Sequence, residues 1–395
     1  MSISTTVKEA MKGSSWVRKM FETGQALRQR FGEDAVFDFS LGSPHLEPPA
    51  SFQEALRELA STPRHGIHRY MQNAGFLSTR QAVARSLGER EGETLSPDDV
   101  LMTVGAAGAM HVALAALLDP GDEVIVLAPY FVEYLFYIRH HAGVPTVVET
   151  DAVFDLDLAA IEAAIGPRTK ALILNTPNNP TGIIYGEARL AELARLLAAA
   201  ERRVGHAIYL LVDTPYAKIV FDGRQNPRLL AHHPSTFIVH SFSKDLGLAG
   251  ERIGYLAISP RAPHRDELVK ACTFTNRTLG FVNAPALMQL ALERCIDATV
   301  EVDEYRRLRD HLCDGLQQAG YEAQRPQGTF FLFLPTPIAD DVLFTAELQK
   351  EHVLVVPGVG FGRSGYVRVA FCTSMAAIDG ALPRFAKVLQ RVRGG

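Results

Sequence analysis

The segment Ser241-Phe242-Ser243-Lys244-Asp245-Leu246-Gly247-Leu248-Ala249-Gly250-Glu251-Arg252-Ile253-Gly254-Tyr255 follows an apolar run at 236–240. It gathers small residues around one lysine and places an arginine eight positions further on. A lone lysine is ordinarily a solvated surface cation. A lysine that must form an imine instead needs a shielded pocket and a partly deprotonated amine. The buried strand before Lys244 and the small residues around it favour the second reading.

Working outward, short β-branched runs alternate with Ala-, Leu- and Arg-rich helical stretches. Strands are predicted at 100–104, 123–127, 145–149, 171–175, 208–213, 236–240 and 253–258. Helices fall between them at 108–118, 131–141, 157–165 and 188–202. This alternation predicts an α/β domain whose mainly parallel, seven-stranded sheet is covered on both faces. The ends read differently. Residues 14–31 form one amphipathic helix that Ser14 or Ser15 can cap. After about Asn283 a helical stretch runs to Gly315, followed by strand-like pieces at 329–334, 353–356 and 366–371 and a last helix. The expected organisation is a large domain over 43–284 and a smaller α+β domain made of 1–42 and 285–395.

Composition narrows the class of function. The 395 residues are 47% hydrophobic and 21% charged, which is ordinary for a soluble globular protein. Forty basic against 44 acidic residues, with no basic stripe, argue against nucleic acid as a partner. The start MSISTTVKEAMKGSSWVRKMF has no apolar core of a signal peptide, and the runs at 112–118 and 193–200 are too short to span a bilayer. Cys272, Cys295, Cys313 and Cys372 have no CxxC spacing and read as reduced thiols of a cytoplasmic protein. The thirteen histidines show no metal-ligand spacing. Gly360-Phe361-Gly362-Arg363-Ser364-Gly365 matches GxGxxG but precedes a strand and opens no helix. It is therefore a turn and not a dinucleotide fingerprint.

Three further stretches end apolar strands on polar or small residues. Tyr209-Leu210-Leu211-Val212-Asp213-Thr214-Pro215-Tyr216 ends on a carboxylate, which a helix cap would also explain. Asn175-Thr176-Pro177-Asn178-Asn179-Pro180-Thr181-Gly182 suits a plain turn. Thr103-Val104-Gly105-Ala106-Ala107-Gly108 joins a strand to a helix whose N-terminus favours an anion, though close packing would also ask for small residues.

Taken together, SFSK followed by GLAGERIGY, the DxxY of Asp213 and Tyr216, and NNPTG resemble the class I/II aminotransferases. These are enzymes of pyridoxal 5'-phosphate, aspartate aminotransferase-like and of fold type I. The resemblance runs from Gly42 to Arg368. It implies that Lys244 carries the cofactor as an imine, and that Ser241, Arg252 and the backbone of Gly105, Ala106 and Ala107 hold its phosphate. Asp213 then keeps the ring nitrogen protonated, while Tyr216 and Asn179 meet the ring oxygen, with a cis bond at Asn179–Pro180. Phe131 falls on the ring-stacking aromatic, a position a core aromatic could equally fill. Tyr70 falls on a tyrosine that reaches the phosphate from a partner subunit. Arg368 clamps the substrate α-carboxylate, and Gly42 meets it through its backbone. Arg277 lies near the place of a distal-carboxylate arginine, but an interface or surface arginine would look the same.

The implied activity is transfer of an amino group between an L-amino acid, aspartate-like as a first guess, and a 2-oxo acid such as 2-oxoglutarate. The implied assembly is a homodimer with shared sites. The same scaffold also serves β-elimination, cyclisation or oxidation, and a protein that binds the cofactor without turnover is the alternative outside enzymes.

Overall fold

The computed structural model describes residues 3–12, 16–62 and 65–394, and the Ser14 or Ser15 cap lies outside them. Twelve strands are formed among the described residues: β1 (Phe37–Asp38), β2 (Val100–Thr103), β3 (Glu123–Ala128), β4 (Val144–Glu149), β5 (Thr169–Asn175), β6 (Tyr209–Asp213), β7 (Thr236–Ser241), β8 (Gly254–Ile258), β9 (Phe331–Pro335), β10 (Val353–Leu354), β11 (Val356–Pro357) and β12 (Tyr366–Ala370).

Seven of them make the expected sheet, in the order β2-β8-β7-β6-β5-β3-β4, with β8 antiparallel to both neighbours and the other pairings parallel. Successive side chains on a strand point to opposite faces, and here each face buries its own core. Ile125 and Leu127 join Leu172, Leu174 and Val212 on one side. Val124 and Val126 join Ile173, Leu211 and Val239 on the other. Strands buried on both faces must be apolar throughout, which is why these runs were legible without alternation.

A second apolar core gathers Phe39, Leu308, Leu312, Phe344, Val367, Val369 and Phe385 around the three-stranded antiparallel sheet β11-β12-β9. The N-terminal arm is tied into it. The strand β1 pairs in parallel with β10, and the helix Trp16–Phe31 sets Met20 against Phe333, Val356 and Phe361.

Four expectations are corrected. The helical stretch after Asn283 is broken into helices Ala286–Leu292 and Val302–Ala319. The break has a physical cause: the Val300 N–H and the Thr299 hydroxyl both donate to the carbonyl of Asp245, at 2.8 and 3.0 Å. The single strand read at 353–356 is two, because β10 pairs with β1 whereas β11 pairs with β12. The helix read from Gly108 begins at Gly105, and the one read from Phe131 begins at Glu133. Among the described residues no helix is long and apolar enough to cross a membrane.

Candidate active site

The strands β2, β3, β5, β6 and β7 run the same way and end along one edge of the sheet, where open α/β sheets bind their ligands. A cavity of about 330 Å³ opens there. It is lined by Gly42, Ala106, Ala107, Phe131, Asn179, Asp213, Tyr216, Ser241, Lys244, Arg252 and Arg368. Residues spread over more than 300 positions of sequence thus meet in one place.

Lys244 lies in the one-turn helix Phe242–Asp245 directly after β7, and its Nζ donates to the Gly42 carbonyl at 2.7 Å. Burial, with help from the cations of Arg368 and Arg252, lowers its ammonium pKa to about 8. Asp213 closes β6. Its Oδ2 accepts from the Tyr134 hydroxyl at 2.5 Å, while its Oδ1 is buried without any hydrogen bond. Burial pushes the Asp213 carboxyl up to about 7, against the opposing effect of the Tyr134 hydrogen bond. A buried, unpaired carboxylate oxygen is costly unless something positive meets it.

The other end of the cavity is built for an anion. The N-terminus of helix Gly105–Leu117 leaves backbone N–H groups free to point at a ligand. Gly105 has φ +68°, and a Cβ there would stand 3.0 Å from Nη2 of Arg252. Arg252 itself sits at φ +52°, a conformation that costs a non-glycine residue on the order of 1–3 kcal/mol. The hydroxyls of Ser241 and Ser243 lie 2.6 Å apart beside it.

Arg368 occupies the middle of β12. Val367 and Val369 face the second core, so Arg368 faces the cavity, between the rings of Phe331 and Phe361 at 4.3 and 4.8 Å. It donates to Asn179 Oδ1 and to the Ser40 carbonyl at 3.1 and 2.7 Å, yet its Nε has no partner and no carboxylate pairs with it. Burial lowers its pKa to about 10. The Asn179–Pro180 bond is cis, as are Ala128–Pro129 and Thr176–Pro177.

Two sequence candidates are not brought to the cavity. Tyr70 is 92% exposed, and Arg277 is exposed at the end of helix Arg265–Thr278, stacked over Phe274 at 5.4 Å. The lining residues given no role from the sequence include Tyr134, Tyr137 and Ser243. Ser243 sits inside the quoted lysine segment. Tyr134 carries no local signal, because its partner Asp213 is 79 positions away.

A partly buried lysine, a carboxylate with one bare oxygen, an anion cradle and an arginine with an unspent donor at the strand ends define an enzyme of the open α/β class. The comparisons narrow this. The profile described as aminotransferase class I and II matches residues 34–385. The aspartate/prephenate aminotransferase of Thermus thermophilus is 36% identical over 391 residues, covering 97% of this chain and 98% of that protein. The aspartate aminotransferase of Thermotoga maritima is 33% identical, covering 91% and 92%. Among solved structures, an amino transferase from Eubacterium rectale superimposes with a TM-score of 0.96 at 32% identity, covering 99% of both chains. The T. thermophilus aspartate aminotransferase with maleate gives 0.85 at 32%, covering 98% and 100%. The chain belongs to the class I and II aminotransferase family, and it is an aminotransferase.

Proposed function

We propose that the cavity holds pyridoxal 5'-phosphate and moves an amino group between an L-amino acid and a 2-oxo acid, with Lys244 as the residue that carries the cofactor. The observation that carries this reading is the presence in one cavity of a partly buried lysine, lowered to about 8, and of Asp213 with its unpaired Oδ1. The residues suit the group. Asp213 Oδ1 lacks the cation that a protonated ring nitrogen supplies. Gly105, Ala106, Ala107, Ser241 and Arg252 offer N–H, hydroxyl and guanidinium donors to a phosphate. When bound, the cofactor supplies an aldehyde that condenses with amines and a ring that accepts electrons from the substrate Cα.

The chain's own residues do the rest. Phe131 walls one face of the ring, and Tyr216 and Asn179 meet its oxygen. Tyr134 holds Asp213 through Oδ2 and leaves Oδ1 without a hydrogen bond among the described residues. Arg368, with the backbone of Gly42, orients the α-carboxylate of the amino acid. Lys244 would hold the cofactor aldehyde and, when free of it, its Nζ would carry the proton that leaves the substrate Cα. An amine lowered to about 8 is partly free base near neutral pH, as a general base needs to be. Tyr70 would complete the phosphate site from the partner subunit of a homodimer. An aspartate-like donor, the substrate in the names of the two relatives described above, would take its distal-carboxylate ligand from Arg277 across the same interface. The large unit is taken as 43–284, and the small one as 1–42 with 285–395.

The test is the visible absorption of the purified protein with the cofactor, before and after single amino acids. A band that bleaches with aspartate or glutamate and returns with a 2-oxo acid is expected. A band that persists, or that releases product with no return on adding oxo acid, would move the reaction to elimination, cyclisation or oxidation.

A further inference from the structure

Asp245, the residue after Lys244, is completely buried, and neither of its carboxylate oxygens has a hydrogen bond. The side chain beside it is His240, 1% exposed, with Nε2 at 3.3 Å from Asp245 Oδ2. The other ring nitrogen of His240, Nδ1, lies 2.9 Å from the carbonyl of Thr214 and 3.2 Å from its hydroxyl. Thr214 follows Asp213. One imidazole therefore touches the immediate chain neighbours of both Asp213 and Lys244.

The rest of the surroundings hold this arrangement in place. A carbonyl only accepts, so Nδ1 is the donor toward Thr214, and the contact between Nε2 and Asp245 is attractive only when that pair holds a further proton. Thr214 is anchored in turn by its N–H to the Val239 carbonyl at 2.8 Å. The Asp245 backbone carbonyl is pinned by Val300 and Thr299. The imidazole is boxed by Phe242, edge-on at 4.9 Å, and Tyr255 at 4.8 Å. Lys218 gives its hydrogen bonds to the carbonyls of Ile296 and Ala298, and Arg90 gives one to Tyr255, so neither cation competes for Asp245 through a bond. A buried carboxylate retained beside a single imidazole is an expensive choice for a core that an apolar residue could fill. It makes sense where geometry matters more than stability.

We propose that His240 and Asp245 form a positioning strut that fixes Lys244 relative to Asp213, so that the lysine amine and the ring-facing carboxylate keep a set separation. Neither residue lines the cavity, so they act through their neighbours. The proposal rests on the reading of the site as a pyridoxal-phosphate site. A shift of about 1 Å in a reacting group can cost about a hundredfold in rate, so a strut behind the lysine has leverage out of proportion to its own contacts.

The test uses the cofactor-loaded protein and five variants: Asp245→Asn, His240→Asn, which keeps a donor toward Thr214 but withdraws from Asp245, their double variant, His240→Gln and Thr214→Val. Visible circular dichroism per bound cofactor and the cofactor dissociation constant are measured beside kcat and KM. Expected is a loss of half or more of the visible dichroism and a dissociation constant about tenfold weaker in each single variant, with kcat lowered more than KM is raised. The double variant should be no worse than either single, because both cut one link. His240→Gln, whose amide can reach Asp245, should recover part of the dichroism. Thr214→Val keeps the carbonyl and removes only the hydroxyl contact. It should show a smaller change in the same direction even if the buried-charge variants fold poorly. Variants that melt earlier but keep dichroism and affinity within twofold of the parent would overturn the strut and leave the site reading intact. A parent protein that binds no pyridoxal phosphate would remove both.

Discussion

Arg309 and Arg368 are both buried arginines, 2% and 3% exposed, and both belong to the part of the chain around the second core. Their surroundings differ in one respect. The Arg309 guanidinium is met at both ends: Asp222 takes Nη1 and Nη2 at 2.7 and 2.9 Å, Asp310 takes Nε at 2.9 Å, and the Pro326 carbonyl takes Nη1 as well. Arg368 has one amide oxygen and one carbonyl, an unpaired Nε and no carboxylate. The first cation is fully met among the described residues, whereas the second keeps an unspent donor. Burial alone thus does not mark a functional arginine, but burial with unspent donors does.

Replacing each by methionine should separate the two. Arg368→Met should lower kcat/KM for amino acids by about a thousandfold, as expected for the loss of two charge-assisted hydrogen bonds to a carboxylate. The melting temperature of the cofactor-free protein should hold or rise, since an unpaired buried cation is removed. Arg309→Met should do the reverse. Its carboxylate partners are partly exposed, Asp222 at 52% and Asp310 at 36% of the side chain, and can return to water. The loss of stability should therefore be about 1–3 kcal/mol, below that of a fully buried pair, with kcat/KM nearly unchanged. Equal losses of activity in both variants would erase the distinction.

The same contrast sharpens at Asp213, a buried acid that is also unfinished. Its carboxyl titrates near 7 in the folded, cofactor-free protein and at the ordinary 3.8 when unfolded. Between those values the unfolded chain has released a proton that the folded one keeps. Stability should therefore fall as pH rises from about 4 to about 7, then level off. Asp213→Asn removes this penalty. In denaturant titrations of the cofactor-free protein it should be more stable than the parent by about 2–4 kcal/mol at pH 8, and by little at pH 4. A stability difference that does not change with pH would mean that Asp213 already has a partner within the chain.

How much of this was legible in the sequence depended on whether a signal was local. Six of the seven sheet strands could be read because strands buried on both faces are apolar runs bounded by polar ends, whereas the partly exposed edge strand β4 showed only as a β-branched run. Lys244, Asp213, Asn179 and Arg252 stood in short motifs whose neighbours carried the information. Tyr134 did not, since its hydroxyl matters only because β6 ends beside the first turn of helix Glu133–His140. The break before Val302 was equally hidden. It follows from the Asp245 carbonyl taking two donors from residues more than fifty positions away. Where the sequence misplaced a boundary, a long-range hydrogen bond or a change of strand partner decided it, as at Val355 between β10 and β11.

Tyr70 extends the comparison outside the cavity. At 92% exposure, beside the loop Phe281, Val282 and Asn283, its ring has a large apolar face in water and no hydrogen bond among the described residues. If a second copy carries this tyrosine to the cofactor phosphate, Tyr70→Phe removes one hydrogen bond and keeps the ring. The cofactor dissociation constant should weaken by about fivefold, the value of roughly 1 kcal/mol for one such bond. The sedimentation of the protein should stay that of the parent, because the apolar contact is retained. Tyr70→Ala should weaken both. If the phenylalanine variant binds the cofactor as tightly as the parent while the alanine variant dissociates, Tyr70 is an interface residue only, and the phosphate site is complete within one chain.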